Sequence, residues 1–215
     1  MRGLNLLSIL VVFLFSLCSN KLDQKEKIVQ SENSYVDSTS NLIRTRVSDT
    51  GIPYIDSIVN KANNLYSLKK NLEVYVKVSG RSDLVQVHDM NNWPQSIVVT
   101  YNLIADSLKR PVLFKEIPYV ESGDQYIVNN YYFDDNRKTV AIKTRNSFFN
   151  ELCSEDALKE LTTKYYNADF GVIFSDYSLL DYNGNKLDTT QCHSQYEFVV
   201  NEYKDYSATP LGMMK

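Results

Sequence analysis

The sequence predicts an α+β fold: a mainly antiparallel β-meander sheet packed with about two helices. Three observations carry that prediction. From Leu72 to Phe149, apolar and polar residues alternate with period two, in runs separated by short clusters of Gly, Pro, Asp, Asn and Ser. Two flanking stretches, 53–70 and 151–168, instead repeat their apolar residues at spacings of three and four. The extended runs between them follow one another through short loops, so sequential strands should pair antiparallel and one face should be covered by helix.

The chain opens with Met1-Arg2-Gly3 and a 14-residue, mostly apolar run from Leu4 to Leu17. As a helix this run would be about 21 Å long, against a hydrocarbon core of about 30 Å. It is short for a membrane span and suits the apolar core of a secretory signal. The alternative, a buried core helix, should show a polar face, and this run shows almost none. Phe15-Ser16-Leu17-Cys18 resembles a bacterial lipobox, in which the chain is cut before a Cys that carries a thioether-linked lipid. Ser16 fits that pattern. Leu17 and Phe15 depart from it, since a small residue is usual before the Cys and Leu is more usual than Phe. The alternative is ordinary cleavage near Ser19, for which Leu17 and Ser19 make a poor small-x-small site. Residues 1–17 are therefore expected to be a lipoprotein signal peptide and Cys18 a lipidated N-terminus. Ser19 to Asp23 loosely resembles the short export signal of surface-exposed lipoproteins in the Bacteroidota. Residues 18–50 mix charged residues and serines with few apolar ones and read as a flexible tether. Residues 51–215 form the single α+β domain.

Within that domain, Ile55, Ile58, Val59, Ala62, Leu65 and Tyr66 share one helical stripe, and Pro53 suits the first turn. Strands are expected at 72–78, 84–88, 97–104, 111–120, 126–133 and 139–149. Pro118 argues for an edge, a bulge or an early end. Leu152, Leu158, Leu161 and Tyr165 suggest a second helix over 151–168, capped by Asn150 or Ser154. Shorter extended segments follow at 172–174 and 177–182, with a hairpin signal at Asn183-Gly184. Residues 195–203 read as a last strand or short helix, and the end from Thr209 as frayed.

Composition narrows the function classes. With 23 basic and 26 acidic residues the formal net charge is -3, so nothing draws the chain to nucleic acid. Two His, at 88 and 193, and no CxxC or HExxH give no metal-ligand spacing, and no metal or other cofactor is expected. Asp181 to Asp188 invites a calcium reading, but its Gly is fourth where an EF-hand needs it sixth, so a hairpin is expected. There is no GxSxG elbow. Glu121-Ser122-Gly123-Asp124 has a Ser between carboxylates, yet Gly and Asp are also what a tight turn uses. Cys153 or Cys192 acting with His88 would need a reduced thiol in an oxidising compartment. No catalytic residue is assigned. Once Cys18 is lipidated, Cys153 and Cys192 are the remaining thiols and candidates for a disulfide, with two buried free thiols as the alternative.

Sixteen Tyr is the most unusual feature. On a strand Tyr131 and Phe133 share a face while Tyr132 points away. Tyr126, Tyr131, Tyr132 and Phe133 are the candidate binding face, for a protein or small-molecule ligand. The competing explanation is that aromatics simply fit half-buried pleated surfaces.

Three stretches, Glu116 to Asp124, Asn130 to Asp135, and Asn146 to Asn150 with Cys153, resemble uncharacterised secreted or lipid-anchored proteins of the Bacteroidota. Where such proteins often carry an aromatic after Ser-Gly-Asp, this chain has Gln125 and then Tyr126. The resemblance covers under half the chain, implies the β-meander and brings no activity. The expectation is thus a bacterial envelope lipoprotein, anchored to the membrane and facing periplasm or surface, with a non-catalytic binding domain. The alternatives are an envelope hydrolase and an inhibitor or immunity-type protein.

Overall fold

One α-helix and eight strands make up the regular framework of a computed structural model that describes residues 51–89, 91–190, 192 and 198–214. Cys18 and the segments expected as a signal sequence (1–17) and tether (18–50) lie outside the described residues, as does His193. Helix α1, Gly51–Ser67, buries Ile55, Val59 and Ala62, with Ile58, Leu65 and Tyr66 packed beside them. That is the stripe its three-and-four spacing requires. The helix ends in a reverse turn in which Lys70 N donates to Leu65 O (3.0 Å) and Lys69 N to Tyr66 O (2.9 Å). Lys69, at φ 50°, occupies the left-handed position that glycine usually fills.

The strands are β1 Leu72–Val78, β2 Leu84–Gln86, β3 Ile97–Ala105, β4 Pro111–Pro118, β5 Gln125–Phe133, β6 Thr139–Phe148, β7 Leu158–Tyr166 and β8 Val172–Leu180. They form one antiparallel sheet in the order β2-β1-β3-β4-β5-β6-β7-β8. The meander is therefore longer than the sequence suggested, and the helical content lower. The second helix expected over 151–168 does not form; its Leu158, Leu161 and Tyr165 belong to β7, and Leu152 is exposed. Thr162, Thr163, Tyr165 and Tyr166 are β-branched or aromatic, which favours a strand over a helix there. The segments at 172–174 and 177–182 merge into β8, and β4 stops at Pro118.

Both faces of the sheet are covered. On the helix face, α1 packs on Ile104, Val112, Tyr132, Val140 and Tyr165. Tyr132 Oη donates to Asn63 Oδ1 (3.0 Å), and Tyr165 Oη donates to Asp56 Oδ1. On the opposite face lie Tyr101, Phe114, Tyr131, Phe133, Ile142 and Tyr166, covered by Val200, Tyr203, Tyr206 and Leu211 of a C-terminal strap. The described part of 195–203 is neither strand nor helix, and the end from Thr209 is not frayed. Two short 3-10 turns, 206–208 and 212–214, close it, and Thr209 and Leu211 are buried. Gly212 is required there, because a Cβ would collide with the Tyr206 carbonyl oxygen.

Three tight turns at the helix end of the sheet share one construction. Asp106, Asp134 and Asn167 each accept backbone N–H bonds from the second and fourth residues that follow. The residue third along, Lys109, Arg137 or Phe170, takes φ of 61°, 64° or 65°. Asp106 adds an ion pair with Arg110 (2.7 Å). Burial works to raise the Asp106 carboxyl, but the bonds from Arg110 and Leu108 outweigh it and hold the group below the usual carboxylate range. A depressed pKa gives stabilisation that is complete above the unfolded value of about 3.9 and fades as pH falls through the folded one. Asp106→Asn should therefore lower the unfolding free energy at pH 7 by about 1–3 kcal/mol. Urea melts at pH 7 and pH 3 check this: the gap between wild type and variant should shrink in acid, and a constant gap would count against the carboxylate's charge.

Candidate functional site

Pairing register assigns every charged strand residue to a face. Lys115, Lys143, Arg145 and Lys159 lie on the helix face, with Asp176 the acidic strand residue among them. Glu73, Glu116 and Glu160 lie on the strap face, with Lys77 and Lys164. An acidic protein thus carries an excess of basic strand residues on the helix face of its sheet. Lys115, Lys143 and Arg145 have no ion-pair partner among the described residues. Each faces a tyrosine ring instead: Lys115 Nζ is 3.6 Å from the Tyr66 centroid, Lys143 Nζ 5.5 Å from Tyr165, and Arg145 Cζ 5.6 Å from Tyr126. Burial first, then the neighbouring Arg145 charge, pulls the Lys115 ammonium down to about 8.

Beside these cations lies a recess of about 620 Å³ at the end of the sheet remote from the tight turns. Ile117 and Thr100 floor it, Tyr119 and Tyr126 rim it, and the loops at 94–97 and 118–123 wall it. Both tyrosines are exposed, Tyr119 at 66% and Tyr126 at 47%. Gln125 lines it too, and its Nε2 is a buried donor without a partner. Trp93, the chain's one tryptophan, adjoins Pro94 of the wall.

The structure separates the residues singled out from sequence. Tyr126 borders the recess, whereas Tyr131, Tyr132 and Phe133 are almost wholly buried, at 0%, 3% and 1% exposure. Alternation does divide them as predicted, but into two cores under α1 and the strap, so the four form no common exposed face. Cys153 and Cys192 are joined in a disulfide with Cα atoms 5.7 Å apart, against Phe148, Leu158 and Leu179. His88 is exposed in the loop after β2. Ser122 is exposed too; its Oγ accepts from Asp124 N (3.4 Å), which is turn chemistry. Asp181 is occupied by Asn185, accepting from its backbone N and Nδ2 at 2.8 Å each, so the calcium-like stretch is a self-capped turn. No group of three His, Cys, Asp or Glu suited to a metal occurs among the described residues, and none of their helices is long and apolar enough to cross a membrane.

A second polar cluster is internal. Glu116 on the strap face is buried and accepts from Tyr131 Oη (3.0 Å), Tyr203 Oη (3.4 Å) and Asn201 Nδ2 (3.2 Å). Burial, then the Glu116 charge, pushes Tyr101 up to about 12 and raises Tyr131 and Tyr203 as well. Tyr131 and Tyr203 stay protonated and donate to Glu116, so the cluster latches the strap to the sheet.

Sequence reasoning missed Lys115, Lys143 and Arg145. Alternation puts Lys143 and Arg145 on one face, but joining them to Lys115 across β5 needs the register. No protein-family model matches the chain, and neither a curated protein nor a solved structure does.

Proposed function

We propose that this chain is a lipid-anchored protein of the bacterial cell envelope, held to the membrane through Cys18, whose sheet domain binds a ligand in the helix-face recess without turning it over. The recess carries the binding reading. Its volume of about 620 Å³ falls in the range of small-molecule sites. Exposed tyrosines at its rim supply contact area at low entropic cost. Among the described residues its polar lining is Ser, Thr, Gln and Tyr, without a carboxylate or imidazole to act as a base. The anchor rests on the apolar run from Leu4 to Leu17 and on the Cys that ends it.

Labelled palmitate fed to a bacterial host should enter the wild-type protein and not Cys18→Ala; equal labelling refutes the anchor. For the recess, the neutral dye Nile red should bind the mature protein saturably with increased emission. Thr100→Trp fills the floor and should weaken that binding roughly ten-fold, about 1.4 kcal/mol. Undiminished binding to a folded Thr100→Trp protein would refute the recess. Hydrolysis of an ester, glycoside or peptide substrate, abolished by one substitution in the recess, would replace the non-catalytic reading with an enzymatic one.

A further inference from the structure

We infer that the recess takes an amphiphile with a single anionic head, its carboxylate or phosphate oxygens held by Arg145 beside the Tyr126 rim with Lys115 as the second cation, and its apolar body lying over Ile117 and Tyr126. This deepens the ligand-binding reading above and rests on it.

The register places these groups together. Lys115 pairs with Asn130, and Asn130 with Lys143, so the two ammonium-bearing strands flank β5 at the same level. Arg145 follows Lys143 on the same face, one step nearer the recess, as Ile117 follows Lys115. Each such step is about 7 Å, within reach of these long side chains. Arg145 therefore stands behind the recess rim, its Cζ 5.6 Å from the Tyr126 ring centroid, and Lys115 lies one step behind Ile117 of the floor.

Charge complementarity identifies the head. Elsewhere in the domain Arg81, Arg110, Lys138 and Lys164 each hold a carboxylate at 2.7–3.0 Å. On the helix face Lys115, Lys143 and Arg145 hold none among the described residues, each resting on a tyrosine ring instead, and Lys115 is partly buried as well. Like charges brought together in a partly desolvated place repel, and an oxyanion bound between them relieves that repulsion. The apolar recess alongside identifies the body, since a free inorganic anion would leave it unused. A polyanion is disfavoured by the chain's net charge of -3, which repels it beyond the patch.

The test uses the mature chain carrying Cys18→Ser, with Trp93 fluorescence and titration calorimetry as readouts. The probes are octanoate, octyl phosphate, octanol and acetate. Octanoate or octyl phosphate should bind at least about ten-fold more tightly than octanol, and acetate weakly by comparison. Comparing the first two separates a fatty carboxylate from a phosphate-headed source. Arg145→Gln combined with Lys115→Met should erase the preference, while Arg145→Lys should retain much of it, thermal melts showing both variants folded. Octanol binding as tightly as octanoate would overturn the anionic head and leave the recess as a neutral-ligand site. Acetate matching octanoate would overturn the amphiphile. Failure of every probe, with Nile red also unbound, would remove the ligand-binding reading itself.

Discussion

A chain ending at Ala208 should melt on the order of 10 °C below the full-length protein, or fail to fold. Seven terminal residues that merely frayed would matter by less than about 0.5 kcal/mol. Here they include Leu211, which fills the strap-face core, and its loss alone is worth about 2–5 kcal/mol. Thr209 adds four bonds: its N (3.0 Å) and Oγ1 (2.7 Å) both donate to Tyr206 O, its Oγ1 accepts from Gly212 N (3.1 Å), and its carbonyl accepts from Met213 N (3.1 Å). Each contributes about 1 kcal/mol net. For a domain of this size each kcal/mol moves the melting temperature by about 2–4 °C. Thermal melts of the truncated chain and of Leu211→Ala check the figure. Leu211→Ala should account for about half of the loss, and a truncated chain that melts with the wild type would show that the strap's end does not hold the sheet.

The second large effect concerns the disulfide. Cys153 and Cys192 are 39 residues apart, and closing a loop of that length restricts the unfolded chain by about 3–4 kcal/mol in the chain-entropy model. Reduction with dithiothreitol should lower the melting temperature by on the order of 10 °C. The Cys153→Ser, Cys192→Ser double variant should melt where the reduced wild type does and ignore the reductant. Two reactive thiols in denatured, unreduced mature protein, together with a melt indifferent to dithiothreitol, would show that the bond is absent in solution.

How much of this was legible beforehand varies from element to element. Helix α1 was, because one of its faces alone is buried and its stripe reads without interruption. The strands from Leu72 to Phe148 were legible for the matching reason, since most alternate cleanly. β7 was not. Its residues from Lys159 to Lys164 are half-buried on both faces, so neither face is uniformly apolar and a chance spacing of leucines imitated a helix. The strap was invisible because Val200, Tyr203, Tyr206 and Leu211 follow no period; irregular chain packs by shape. At the recess, tyrosine enrichment pointed to β5, whose Tyr126 lies on the rim. It also drew in Tyr131, Tyr132 and Phe133, whose enrichment reflects the filling of two cores. The basic patch was hidden because it is a property of three neighbouring strands, and no single stretch of sequence contains it.

The wiring of the sheet also sets an order of assembly. Apart from β3, which pairs with β1 instead of β2, every strand lies beside its predecessor in the chain. The meander can therefore grow by successive hairpins, each closing a short loop at small entropic cost and with rapid kinetics. The strap is the exception, since Asn201 and Tyr203 reach back to Glu116 on β4, across most of the domain's length. For a chain emerging N-terminus first, the strap-face core stays bare until the final segment arrives and docks. During that interval Tyr101, Phe114, Tyr131 and Phe133 form an exposed aromatic surface, the stage at which a nascent molecule is most prone to self-association and at which a chaperone would have its strongest hold.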